Sequence, residues 1–305
     1  MFQSILEDIR REFSTGNIIS RLVIINVSVF ILINMVRLIL HFSNAGVTPP
    51  VYYDIVHFFS ISSSIFHNLT HPWVFVTSIF LHEGFWHILW NMLFLYWFGR
   101  IVADLIGESK IFPIYLLGGI IGCIVFWMSS QLLPYGDFRP IYALGASAGV
   151  MAIVMTAGMI APDYSIRLFL IGDVKLKYLV AALILLDVFG LAGNYNTGGH
   201  FAHLGGVFMG WFYVQQLRTG NDWSEGVNGI MEKIQLFFSQ ESHAKSSRKT
   251  TKLVVKRHYR KQKEEPEDTD PMERVDVILE KIKAHGYDSL TQEEKDFLQQ
   301  ASEGS

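Results

Sequence analysis

In "ALGASAGVMA", residues 143–152, one hydroxyl stands among small side chains: Gly145, Ala146, Ser147, Ala148 and Gly149. Small residues let helix backbones approach closely in lipid, so packing is one reading. The other is that a reacting group must reach Ser147. A serine becomes a nucleophile when a base takes its proton, and "GGHFAHLGGVFMG" supplies His203. Attack on a carbonyl also needs donors for the developing oxyanion. "HEGFWHILWNMLFL" offers His87 and Asn91, four apart on one helix face, each able to donate a hydrogen bond without carrying a charge. That set would perform acyl transfer. A metal site is the chemical rival, because His57, His67, His71, His82, His87, His200 and His203 are all candidates. However, the histidines of "HEGFWH" are five apart, about 500° around a helix, and cannot face one ion as an H-E-x-x-H pair does. His200 and His203 can share a face, but no carboxylate accompanies them. No metal and no cofactor are expected.

The segments that carry these residues are apolar. Of 305 residues, 50% are hydrophobic, 14% aromatic and only 17% charged, and mean hydropathy is positive. The surplus lies between about 20 and 217, in runs at about 20–42, 85–105, 110–132, 142–160, 177–193 and 199–217. Each approaches the roughly 20 residues that a bilayer requires, which points to an integral membrane protein rather than a soluble one. The net charge of −3 matters less than where the charges lie. Residues 43–82 and 193–199 hold no Lys or Arg, and 133–141 holds only Arg139. Arg10, Arg11, Arg21, Arg100, Lys110, Arg167, Lys175, Lys177 and Arg218 fall on the other side. By the positive-inside rule both termini are cytoplasmic. The single cysteine, Cys123, reads as a small buried hydrophobe and excludes an internal disulfide. "MFQSILEDIRREF" is amphipathic and lacks the layout of a signal peptide.

Depth brings the polar residues together. Ser147 lies about five residues into the fourth run and His203 about five into the sixth, each roughly 7 Å below its outer end at the helical rise. Gly199, His203, Gly206 and Gly210 follow i, i+4, i+7 and i+11, while Gly145 and Gly149 bracket Ser147. These five glycines predict close helix packing around a Ser–His pair. Polar glue between helices is the alternative. Asp187 falls near the same level in the fifth run and is expected to be structural or water-bonded, with orientation of a histidine as the lesser reading. The connection 43–82 is too long for a turn and too apolar for a solvated loop, so it predicts a partly embedded hairpin or interfacial helix with Trp73 at headgroup level.

Beyond Arg218, the basic "KSSRKTTKLVVKRHYRKQK" runs into the acidic "EEPEDTD". This is a solvated linker or one attracted to anionic lipid. Val275, Ile278, Leu279 and Ile282 then follow helical spacing, and Thr291 with Glu294 forms a capping box for a second helix bearing Phe297 and Leu298.

Taken together, "HILWN", "GASAG" and "GGHFAHLGGVFMG" resemble the rhomboid intramembrane serine proteases over residues 18–217. The resemblance implies Ser147 as nucleophile, His203 as general base, and His87 and Asn91 in the oxyanion hole. It also implies a membrane-dipping first loop around "HPWVFVTSIFLH" and a dyad with no acid. Three positions depart from the family pattern. Ala148 replaces a glycine after the serine, Met151 an aromatic residue one turn later, and Val74 an arginine after Trp73.

The fold expected is all-α: a polytopic six-transmembrane-helix rhomboid-like bundle with a small cytoplasmic C-terminal hairpin. Residues 1–17 form a cytoplasmic amphipathic segment, 18–217 the membrane core, 218–270 a charged cytoplasmic linker and 271–305 the helical hairpin. The function expected is a serine endopeptidase acting on transmembrane or juxtamembrane segments, in a bacterial inner membrane. Its partners are the bilayer and membrane-protein substrates; no nucleic acid is expected. A non-catalytic rhomboid-like protein that escorts membrane clients is the alternative.

Overall fold

A computed structural model describes residues 16–133, 140–168, 172–193, 196–247 and 290–303, with the helical positions 278 and 281. The chain divides into two compact units, Met1–His243 and Ala244–Ser305.

The first unit is mainly helical. Its long helices are α1 (Ile18–Ser43), α5 (Phe85–Ile106), α6 (Ile111–Leu132), α7 (Ser147–Ile160), α8 (Leu176–Ala192) and α9 (Thr197–Arg218). Among the described residues, three helical stretches are long and apolar enough to cross a membrane: Ile18–Ser43, Phe85–Ile106 and Glu108–Leu132. Ser147–Ile160 is a shorter apolar helix, about 21 Å at the helical rise. The long helices begin and end where backbone groups find substitutes for helical partners. Asn17 caps α1, its side chain accepting from the Ser20 N–H at 2.8 Å, and Gly107 closes α5 with φ 101°.

The centre of the unit is α6, α7 and α9, each packed on the other two; α5 and α8 lie against α7, and α1 against α5. The close approach comes from small residues on facing sides. A Cβ on Gly206 would stand 2.0 Å from the Ala148 carbonyl oxygen, and one on Gly210 would stand 2.3 Å from that of Ala152. Gly122 of α6 meets the Ala148 methyl in the same way, at 2.3 Å. A buried polar link ties α1 to this core: the Asn26 amide donates to the Tyr115 hydroxyl at 3.1 Å, and that hydroxyl donates to the Ile79 carbonyl at 3.2 Å.

The 43–82 connection, expected as a hairpin or an interfacial helix, folds into several short helices: α2 (Pro50–Phe59), α3 (Ile65–Thr70) and α4 (Val74–Thr77), with strand β1 (Ile61–Ser62) between the first two. Pro50 suits the first turn of α2 because its missing N–H would have no helical partner there. Without an arginine after Trp73, the loop is anchored by the Trp73 indole N–H, which donates to the Phe58 carbonyl at 2.8 Å. Asn68 adds a second anchor, holding the Ser62 N–H at 3.0 Å and its carbonyl at 2.7 Å.

The sequence reading started the fourth helix near residue 142, but α7 begins at Ser147. Residues Tyr142–Ala143 form strand β2, antiparallel to β1, with Ile61 opposite Ala143 and Ser62 opposite Tyr142. Gly145 then takes φ 128°, which a helix does not allow. A second antiparallel pair, β3 (Ser165–Leu168) and β4 (Gly172–Lys175), joins α7 to α8. Asp163 beside it accepts from Lys175 and Lys177, which hold its carboxyl down at about 2.

The stretch expected as a charged linker opens with α10 (Trp223–Ser247). Asp222 sits at its start, contacting Lys110 and accepting from the Tyr213 hydroxyl at 3.1 Å and the Ser224 hydroxyl at 2.6 Å. In the second unit, α11 (Gln292–Glu303) carries the capping box: the Glu294 N–H donates to Thr291 Oγ1 at 3.3 Å, and the Thr291 N–H to Glu294 at 2.8 Å. Residues 1–15 of the amphipathic N-terminal segment and most of the hairpin's first helix lie outside the described residues.

Candidate active site

Ser147 is the first residue of α7. The N–H groups of a helix's first turn have no helical acceptor, and the macrodipole is positive there, so the site favours developing negative charge. The chain reaches this point through a tightly held approach. The Gly145 N–H donates to the Ser78 carbonyl at 2.8 Å, and the Ala146 N–H donates to His82 Nε2 at 3.2 Å. The β1–β2 pair and the His57 ring, stacked on Tyr142 at 3.7 Å, hold the preceding residues.

His203 projects from the second turn of α9, and its Nε2 lies 2.7 Å from Ser147 Oγ. The contact passes between α7 and α9 where Gly206 and Gly210 let the backbones meet. His203 Nδ1 lies 2.8 Å from Asp187 Oδ1 on α8, and His200 Nδ1 reaches the same oxygen at 2.8 Å. The expectation that no carboxylate accompanies His200 and His203 is therefore corrected. The carboxylate comes from another helix, which spacing within "GGHFAH" could not reveal. The water-bonded reading of Asp187 is replaced by this doubly bonded one. The three side chains offer atoms within 4.8 Å of one another, a spacing that a metal ion can use, although both contacts to Asp187 are ordinary hydrogen-bond distances.

His87 and Asn91 line the same cavity as Ser147 and His203, a space of about 870 Å³. The Asn91 amide donates to the His87 carbonyl at 2.9 Å and lies 3.4 Å from His82 Nε2. The glycines divide differently from the expected pair of facing seams. Gly206 and Gly210 do lie on α7. Gly149 faces α6 instead, where a Cβ would stand 2.5 Å from the Tyr115 carbonyl oxygen. Gly199 sits under the Asn196 side chain that precedes its helix. Gly145 is outside α7 altogether and makes room for the His87 ring, 2.6 Å from where its Cβ would be.

Sequence reasoning missed two features. Fully buried His82 braces the backbone before Ser147, and nothing local distinguished it from the neighbouring histidines. Glu83 also lines the cavity and accepts from the Tyr52 hydroxyl at 2.9 Å, with the Arg37 guanidinium 5.7 Å from that ring's centre.

A helical core with a serine and a histidine hydrogen-bonded above a cavity narrows the class, and comparison with known proteins supplies the family. Residues 69–219 match the rhomboid domain, and the chain belongs to the rhomboid family. It is similar to presenilin-associated rhomboid-like protein A, mitochondrial, of Danio rerio: 28% identical over 141 residues, 46% of this chain and 36% of that protein. Rhomboid protein 1, mitochondrial, of Saccharomyces cerevisiae is 30% identical over 141 residues, 45% of this chain and 40% of its own. Rhomboid-like protein 11, chloroplastic, of Arabidopsis thaliana is 28% identical over 166 residues, 50% of this chain and 57% of its own. The chain thus spans well under two thirds of each relative. Residues 257–304 match a family of unknown function (DUF6576). These relatives' names place them in mitochondria and chloroplasts, which lends no support to the expected bacterial inner membrane.

Proposed function

We propose that this protein is an intramembrane serine endopeptidase that cuts transmembrane or membrane-adjacent segments of other membrane proteins. The observation that carries the reading is the 2.7 Å contact between His203 Nε2 and Ser147 Oγ at the wall of the cavity. His203 takes the hydroxyl proton as Ser147 Oγ attacks the scissile carbonyl, and the same proton then goes to the leaving amine. Water next attacks the acyl-enzyme, gives its proton to His203 and releases the new carboxyl end with the serine restored. His87, Asn91 and the first N–H groups of α7 stabilise the oxyanion in both steps.

The proposed topology has six spans, with both termini on the side of Arg100, Lys110 and Arg218. The short α7 fits this topology because non-helical backbone is tolerated at membrane depth where it lines a water-filled cavity. Substrate enters beside α8.

The test is cleavage of a transmembrane model substrate, together with labelling by a fluorophosphonate, for the wild type and Ser147→Ala in detergent. Wild type is expected to do both. The variant is expected to lose both, on the order of 10⁶-fold in turnover, while remaining folded. Residual turnover above about a tenth of wild type, far from any loss that a nucleophile's removal produces, would move the chemistry elsewhere. A wild-type protein that binds the substrate but neither cuts nor labels would be the escort.

A further inference from the structure

One carboxylate oxygen serves two imidazoles at this site. Asp187 Oδ1 lies 2.8 Å from Nδ1 of His203 and 2.8 Å from Nδ1 of His200. An ionised carboxylate only accepts, so each Nδ1 carries its ring's proton. His203 is then left with a bare Nε2, the atom facing Ser147 Oγ at 2.7 Å, and that is the tautomer a general base requires.

We propose that Asp187 is a positioning residue for His203 and that His200 fixes Asp187, so that the site works as a forked Asp–His–Ser chain instead of a dyad. The proposal rests on the protease reading above and adds to it. Three further observations support the fork. Asp187 is buried at 7% exposure among apolar residues of α8, where an ionised carboxylate needs strong donors to persist. His200 and His203 are three apart on α9, so one helix face delivers both N–H groups to one point. Space for the second ring is provided by Gly190, one turn beyond Asp187, where a Cβ would stand 2.4 Å from His200 Cε1.

With two donors the carboxylate cannot turn away from His203. When His203 takes the serine proton on Nε2, both ring nitrogens are protonated, and Asp187 stays ionised beside the cation. No proton passes to Asp187. The carboxylate also couples the base to the cavity wall, because α8 contributes Leu183 and Leu186 to that wall.

The experiment uses the full chain in detergent with a transmembrane model substrate. It measures kcat, KM, fluorophosphonate labelling rate and Tm for Asp187→Asn, Asp187→Glu, His200→Gln and Gly190→Ala. Asp187→Asn is expected to lose kcat and labelling by on the order of 10²–10⁴-fold, as when a triad acid becomes an amide, with KM held within about threefold. Asp187→Glu should recover at least about tenfold over the amide, because charge-assisted acceptance returns. His200→Gln and Gly190→Ala leave the carboxylate in place and should lose about three- to thirtyfold in kcat, less than the full loss seen on removing the acid. Asp187→Asn with kcat within about threefold of wild type overturns the proposal, because a triad acid's loss is far larger. If that variant does not fold, unchanged kcat in both His200→Gln and Gly190→Ala overturns it instead. A wild type that neither cleaves nor labels removes the protease reading itself, which these variant comparisons otherwise leave standing.

Discussion

At Asn91 the side-chain amide donates to the His87 carbonyl one turn earlier on α5 and lies within reach of His82, while the residue borders the cavity beside Ser147. If the amide serves the oxyanion, it acts chiefly in the transition state. Asn91→Ala should then lower turnover by roughly 10²–10³-fold, about 2.7–4 kcal/mol, with KM nearly unchanged. A purely structural amide predicts the reverse pattern: about 0.6 kcal/mol of stability lost and turnover per folded molecule kept. Measuring kcat, KM and Tm on one preparation separates the two. The sequence singled out Ser147, His203, His87 and Asn91 because each puts a polar side chain in an apolar helical setting, and all four line one cavity. His82 was not legible, because its work is done on the backbone of residue 146, far away in sequence.

At the scale of elements, the contact between α7 and α9 sets the distance between Ser147 and His203. A methyl on Gly206 would meet the Ala148 carbonyl at 2.0 Å, and that carbonyl is backbone and cannot step aside. Gly206→Ala should force the helices apart, cost about 1–3 kcal/mol as overpacking does, and reduce cleavage sharply. Gly226 in α10 has nothing within 4 Å of its Cβ position. Gly226→Ala should therefore keep activity and raise stability by up to about 1 kcal/mol through helix propensity. Melting both variants beside wild type checks the contrast.

A second element-scale prediction concerns the Asp222 knot between α9 and α10. Partial burial raises its carboxyl, but the Lys110 ammonium, the Ser224 hydroxyl and N–H, and the Tyr213 hydroxyl outweigh this and hold it at about 2, below the ordinary 3.8. A depressed folded-state value contributes stability above the unfolded value and loses it as pH falls through the folded one. Asp222→Asn should therefore lower Tm at pH 5–7, with the gap to wild type closing between about pH 4 and pH 2. A gap that persists unchanged at the acid end would show that packing, not charge, is lost.

At the scale of the whole molecule, the proposed activity belongs to the first unit, which holds Ser147 and His203. The start of α10, within the first unit, is held by the Trp223 ring, 4.9 Å from Phe212 and edge-on, and by Asn228, which donates to the Ser109 carbonyl at 3.1 Å. A chain ending after residue 247 keeps these contacts and omits most of the second unit. It should fold and retain cleavage in detergent within about twofold of the full chain, because Ser147, His203 and the cavity that they line all belong to the first unit. A folded but inactive shortened chain would make residues 248–305 part of the enzyme.

What the sequence determined by itself follows from local chemistry. Apolar run length located α1 and α5 to α9 to within a few residues, except at the start of α7. The Thr291–Glu294 spacing identified a capping box, and the motif combination identified the family. Tertiary structure decided the remainder. Residues 142–146 leave the helix because β1, Ser78 and His82 take up their backbone groups, so Ser147 opens α7 instead of lying inside it. The five glycines went to different neighbours because spacing along one helix fixes a face but does not say which helix covers it. Asp187 joined His200 and His203 for the same reason: the three share no local pattern, and only the packing of α8 on α9 brings a carboxylate from one helix to two rings on the other.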